Sequence, residues 1–263
     1  MKVINLTQGT QAWLDWRQRG ISATDIPVIL GLSAFKTGYQ LWLEKTGRAN
    51  SEDLSGNPHV QRGNRLEPMA REYFETRDVE ILLPICAECA EESILRASLD
   101  GLSSQGIPYE FKAPAEKRWN ELQANGLESD TYKLYEWQVK TQCAVVGAGE
   151  GLLCFYMEDQ RHLEFRVCLS SDEKDVILRA ARQFWRCVEE DTPPLDPERD
   201  VYIPTSGEDQ FRWQAYADLW RDNQEHIKAI ESRLTPLKKA QDELKQTLSQ
   251  MMGEFMTTDY AGI

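Results

Sequence analysis

The sequence predicts an α/β (α+β) fold: a small mixed β-sheet flanked by helices, with a helical extension at the C-terminal end. Three observations carry this. Residues 10–78 read as helices, with apolar positions at helical spacing and Gly or Pro at the stops. Residues 79–169 are dominated by short β-patterned runs interrupted by one helix. Beyond about residue 206 the apolar residues recur in alternating three- and four-residue steps. The expected division is a core domain over 1–205 and a partly heptad-patterned extension over 206–263.

The elements follow in order. Trp13, Leu14 and Trp16 mark a first helix that ends near Gly20. "ISATDIPVILGLS" reads as a second, with Ser22 or Thr24 as its cap and Gly31 as its stop; "GYQLWLEKTG" is a third, closed by Gly47. A polar loop, "RANSEDLSGNP", leads to a long helix with Val60, Leu66, Met69, Ala70, Tyr73 and Phe74 on or near one face. Pro68 should kink that helix or open a new first turn. "VEILLPI" is expected as a strand, and "ILRASLDG" with "IPYEFKAP" as a hairpin turned by "LSSQG". "TYKLYEWQVKTQCAVVG" returns to helix, and "GLLCFYME" with "HLEFRVCL" forms a second hairpin around "DQR". In "DEKDVILRAARQFWRCVEED" the positions Val176, Ile177, Ala180, Ala181, Phe184, Trp185 and Val188 face inward. A linker near 191–209 precedes the seam Ile227, Ile230, Leu234, Leu237, Leu244, Leu248 and Met251, with Gln241 in one place and a break or kink expected at Pro236. That seam fits a helical hairpin packed on the core or on itself, or a coiled-coil contact between chains. The final "GEFMTTDYAGI" has no evident domain end, as expected of a chain cut short.

Composition narrows the classes. Of 263 residues 41% are hydrophobic, enough for a sizeable core. No apolar run reaches the roughly 20 residues of a membrane span, and the N-terminus lacks a signal-peptide core, so a cytoplasmic location and no membrane partner are expected. The six cysteines read as reduced core residues, and "CAEC" lacks a second close pair for a metal. His59, His162 and His226 show no metal spacing, and there is no phosphate-binding P-loop. The net charge of −13 opposes non-specific nucleic-acid binding, but it does not forbid a local basic channel or a carboxylate metal site.

The candidate chemistry centres on "SLDGLSSQGIPYEFKAP". Side chains alternate along a strand, so Glu110 and Lys112 share a face and Phe111 takes the other. A hairpin can bring Asp100 opposite Glu110. Two carboxylates, with the Phe111 carbonyl and waters, suit a hard divalent cation. Lys112 could then orient or deprotonate a water. An exposed strand face with one ion pair would look much the same. Glu67, an acid within an apolar stretch of helix, and Gln138, on the helix after the strand pair, extend the set.

This set resembles the PD-(D/E)xK nuclease superfamily, and within it the lambda-exonuclease or YqaJ-type viral recombinase family. Four segments carry the resemblance over most of residues 10–170: "WLDWRQRGISATDI", "RGNRLEPMAREYFE", "SLDG" with "YEFKAP", and "YEWQVKTQ". It implies a restriction-endonuclease-like core. It also implies a 5′→3′ exonuclease that degrades one strand of linear double-stranded DNA from its ends to 5′ mononucleotides. A 3′ overhang would be left for phage-type recombination. It further implies Mg²⁺ (or Mn²⁺), two ions being expected, a homo-oligomer in the form of a trimeric ring, and a single-strand annealing protein as partner. A phage or prophage gene in a bacterial host is the implied source.

By the resemblance, Asp100 and Glu110 bind metal with the Phe111 carbonyl, Glu67 supports a metal-bound water, Lys112 activates the nucleophile, and Gln138 positions the water or the metal shell. Arg17 with Thr24, or Ser22 beside it, matches a pocket for the 5′-phosphate. Ser22 and Thr24 near a helix N-terminus would favour a phosphate, although a plain helix cap explains them equally. Arg62, Arg65, Lys117 and Lys140, with Arg118 and Lys133, are candidates for DNA-backbone contacts. The alternatives left open are a PD-(D/E)xK endonuclease, a 3′-directed nuclease, or a non-catalytic DNA-binding recombination scaffold.

Overall fold

A single residue, Asp100, separates the last strand of one four-stranded sheet from the first strand of another. The computed structural model describes residues 1–50, 56–200, 204 and 206–253. Parts of the loop expected over 48–58 and of the linker near 191–209, and nearly all of the final "GEFMTTDYAGI", lie outside these residues. The chain divides into two compact units, Met1–Val201 and Tyr202–Ile263.

In the first unit, β1 (Lys2–Ile4) and α1 (Gln11–Gln18) are followed by β2 (Ile21–Ser22), α2 (Ile26–Ile29) and α3 (Gly38–Lys45). Then come α4 (Pro58–Asp78), β3 (Ile85–Glu88), β4 (Leu95–Leu99), β5 (Gly101–Leu102) and β6 (Pro108–Lys112). The unit continues with α5 (Glu116–Asn125), α6 (Asp130–Val146), β7 (Glu150–Tyr156), β8 (His162–Cys168), α7 (Ser171–Glu189) and the single turn α8 (Pro197–Asp200). One sheet has the order β1-β3-β4-β2 and the other β5-β6-β7-β8. Each is mixed: β2 runs parallel to β4, and β6 runs parallel to β7.

The second sheet lies between two helices. Tyr109, Phe111, Leu152 and Cys154 pack with Ala70 and Phe74 of α4 on one face. On the other face Leu153 and Phe155 pack with Val139 and Cys143 of α6. The same helix sends Ala144 and Val145 into the core of the first sheet, beside Ala87, Leu95 and Ala97. α6 can lie this close because Gly151 has no side chain: a Cβ there would come within 2.8 Å of Val139 and 2.9 Å of the Cys143 sulfur. Its ends are set locally, by the Ser129 hydroxyl accepting from the Tyr132 N–H and by Gly147 in the left-handed region at φ 81°.

Several expectations are corrected. "ILRASLDG" and "IPYEFKAP" do not pair with each other along their length. β4 pairs with β2 and β3, and only its two-residue continuation β5 pairs with β6, Gly101 opposite Tyr109. "VEILLPI" is not a strand up to Pro84: Leu82 is buried, Val79, Ile81 and Leu83 are exposed, and the backbone bonds of Leu83 to Leu102 are the ladder's only trace there. The strand begins at Ile85 instead. The second helix shrinks to four residues with Asp25, not Ser22 or Thr24, at its N-cap position and no side-chain capping bond. α4 runs on through Pro68. Cys168 is exposed and Cys187 half-buried, while the other four cysteines are buried.

The second unit carries α9 (Gly207–Met252), 46 residues capped by the Ser206 hydroxyl at the Asp209 N–H. It runs through Pro236 without the expected break, and it does not fold into a hairpin. No helix among the described residues is long and apolar enough to cross a membrane.

Candidate active site

Glu110 sits at the centre of the site, only 3% exposed, on the face of β6 that looks at α6. Burial of a carboxylate this deep requires donors on its oxygens. Three supply them. Oε1 accepts from the Lys112 ammonium at 2.5 Å and from the Gln138 amide at 2.6 Å, and Oε2 accepts from the Gln142 amide at 2.5 Å. Gln138 and Gln142 are one helical turn apart and share a face of α6. Lys112 shares the strand face of Glu110 and lies 4.7 Å from the Tyr135 ring centroid.

Asp100 arrives from the other side, at the junction of β4 and β5. Its Oδ2 accepts from the Phe111 backbone N–H at 2.9 Å. Arg71 ties Glu67 to the same place: it donates at 2.6 Å to Glu67 Oε1 and at 2.7 Å to the Asp100 carbonyl. Glu67, Asp100, Glu110, Phe111 and Lys112 all line one pocket of about 570 Å³, with His59 and Arg118 also on its wall.

Burial is the largest influence on Asp100 and raises its carboxyl well above the ordinary range; Glu110 and Glu67 push it further, against Lys112. Burial also raises Glu67, with Arg71 opposing and Glu110 adding. For Lys112 burial works against the charge, but Glu110 and Asp100 outweigh it and hold the ammonium above its ordinary value. Like charges crowded into one buried site favour a cation. The donors are oxygens, which selects a hard divalent ion over a soft one. Among the described residues no group of three or more His, Cys, Asp or Glu side chains forms a ready-made cage. The fit is therefore to an ion held by one or two carboxylates with other oxygens completing its shell.

A second cluster forms at β2. The Arg17 guanidinium donates to the Ser22 and Thr24 hydroxyls at 3.2 and 2.9 Å and lies 4.7 Å from the Trp13 ring centroid. Beneath it Asp25 accepts from the Ser22 N–H at 2.8 Å and pairs with Lys45 at 2.9 Å. Arg17, Ser22 and Thr24 are thus brought together, and they are not among the residues lining the first pocket. Trp16 is buried and donates to Glu88, a core role, while Trp13 donates to Ser98.

Of the other basic residues expected at the DNA backbone, only Arg118 is on the pocket wall. Arg62 contacts the Met157 sulfur, Arg65 pairs with Glu158, and Lys117 is exposed on α5. Lys140 is 7% exposed and closed between Glu136 and Glu173, both at 2.6 Å. The sequence does not single out two residues of this cluster, Gln142 and Arg71; each lies four residues after a candidate, Gln138 and Glu67, and that spacing is the signal for both.

The fold is similar to that of solved exonucleases. It matches an alkaline exonuclease (LHK-Exo) from Laribacter hongkongensis at a TM-score of 0.57 and 20% identity, over 80% of this chain and 100% of that one. The structure of the same enzyme with dAMP matches at 0.58 and 21%, over 70% and 94%. A phage-related exonuclease from Haemophilus somnus 129PT matches at 0.50 and 12%, over 65% and 96%. The model of the YqaJ-like viral recombinase domain matches residues 12–149, and the chain belongs to that family. The uncharacterized protein YqaJ of Bacillus subtilis (strain 168) is 36% identical over 73 residues, 28% of this chain and 23% of that protein, so the match spans about a quarter of the relative's length.

Proposed function

We propose that this chain is a divalent-metal-dependent nuclease of recombination that degrades one strand of linear duplex DNA from the 5′ end and leaves a 3′ overhang. The observation that carries the reading is the convergence of Glu67, Asp100, Glu110 and Lys112 on one pocket, with both glutamines of α6 on Glu110. Asp100, Glu110 and the Phe111 carbonyl would hold Mg²⁺ or Mn²⁺, with Glu67 beside them. The bound ion would polarise the scissile phosphate and lower the pKa of a water. Lys112 then presents a positive charge where negative charge builds in the transition state. Glu110 is its present partner, and an ion engaging that carboxylate would leave the Lys112 ammonium free for a water or phosphate.

The Arg17–Ser22–Thr24 cluster supports an end-reading enzyme: its guanidinium donates to two hydroxyls, the nearby Asp25 carboxylate being paired with Lys45, and a terminal phosphate suits that donor set. Release of mononucleotides is supported by analogy with the Laribacter exonuclease, whose structure was determined with dAMP. A ring-shaped homotrimer, two ions per site, a single-strand annealing partner and a cytoplasmic location complete the proposal by family analogy.

The test uses linear, nicked and closed-circular duplex DNA with Mg²⁺ or EDTA. The expected result is loss of the linear form alone, with 5′ label released as mononucleotide, and no product in EDTA. Lys112→Ala should lower the rate by at least a hundredfold while metal binding persists. Cutting of the closed circle would instead favour an endonuclease, release of 3′ label a 3′-directed enzyme, and no hydrolysis a DNA-binding scaffold.

A further inference from the structure

We propose that α9 is a contact surface for a second copy of this chain, the two helices pairing antiparallel about Ser232. The inference is independent of the proposed nuclease activity, and since a two-fold contact cannot close a three-fold ring, it would join chains of different rings. Because α9 is unbroken from Gly207, the three- and four-residue steps that reach Met251 extend back without a slip through Ile227, Asn223 and Trp220 to Tyr216. The apolar members of this stripe are exposed, Tyr216 at 67% and Leu237 at 67%, and Pro236 stands outside it. A soluble helix with so long an apolar stripe needs a partner.

The order of residues selects the partner. In an antiparallel pair centred on Ser232, each seam residue meets the one equally far on the other side. Tyr216 then meets Leu248, and Trp220 meets Leu244. Ile227 meets Leu237, and Ile230 meets Leu234. The two polar residues of the stripe, Asn223 and Gln241, meet each other, so neither amide is buried against an apolar layer.

Charge selects the same orientation. The part of α9 before Ser232 has six acids and three bases; the part after it has four bases and two acids. Antiparallel pairing puts the acidic half on the basic half, whereas parallel pairing sets like on like.

Cysteine cross-linking of the full chain tests this in a Cys168→Ser background, which removes the exposed thiol. Tyr216→Cys and Leu248→Cys chains are made separately and co-expressed. In the antiparallel pair the two positions 216 stand about 48 Å apart, at about 1.5 Å rise per residue. The expected result is covalent dimer on mild oxidation of the co-expressed pair, and no more than the background level with either variant alone. Adding Ile230→Glu and Leu234→Glu should abolish the dimer while helicity by circular dichroism persists. Dimer from a single variant would show parallel pairing and overturn the proposal. So would absence of dimer from the co-expressed pair, or intramolecular closure, without a change of mass, of one chain carrying both Tyr216→Cys and Leu248→Cys. A different protein on the stripe would appear as that absence.

Discussion

Glu110 is held by three donors from two elements, and the division of labour between its oxygens has a consequence. Lys112 and Gln138 share Oε1, while Gln142 alone holds Oε2, so Gln142 sets the rotation of the carboxylate. Gln142 is fully buried, and its own carbonyl oxygen lacks a partner among the described residues, so the amide is spent wholly on Glu110. Gln142→Leu keeps the volume and removes the donor. Mn²⁺ affinity, read by calorimetry, should fall roughly tenfold or more, the range for removing a residue that orients a metal ligand. An unchanged affinity in a folded variant would count against this role. Glu110 and Lys112 were legible in the sequence because strand alternation places both on one face and Phe111 on the other. Gln142 and Arg71 were not, because their partners come from distant elements and a single chain shows only a helical spacing.

At the scale of elements, α6 and α7 are joined by a charged link. Lys140 of α6 meets Glu173, which also accepts from the Ser170 N–H and caps α7. Burial opposes ionisation of Glu173, but Lys140 and Ser170 outweigh it and bring the carboxyl down to about 2. A depressed carboxylate contributes stability above its unfolded value, lost as pH falls toward the folded one. The window is therefore from about 4.5 down to about 2. Glu173→Gln should cost about 1 kcal/mol at neutral pH, after discounting for solvent screening. It should also flatten the stability profile in that window, as followed by denaturant melts at several pH values. Lys140, expected at the DNA backbone from its charge, is paired with Glu136 and Glu173 in this structure. Helices such as α7 were legible from their apolar period. β2 and β5, two residues each, carry no period at all, and pairing partners decide them.

At the scale of the whole unit Met1–Val201, the two clusters proposed for end recognition and for chemistry are built beside different sheets. Arg17→Ala should reduce the preference for 5′-phosphorylated ends about tenfold or more, the loss expected of a charge-assisted pair. Mn²⁺ affinity should be unchanged; loss of both together would mean that one cluster, not two, is at work. The sequence conveyed the family through four short motifs, yet it did not show how the two clusters are spaced. The pairing ladder fixes that spacing, because β4 serves as a ruler. Its pairing with β2 sets Ser22 opposite Arg96, and four residues further on the same strand delivers Asp100. That is roughly 13 Å of extended chain at about 3.3 Å per residue. An insertion or deletion of one residue between Arg96 and Asp100 would turn Asp100 to the opposite face and change the gauge between the two clusters at once. The spacing of that strand is therefore as much a part of the machinery as the acid it carries.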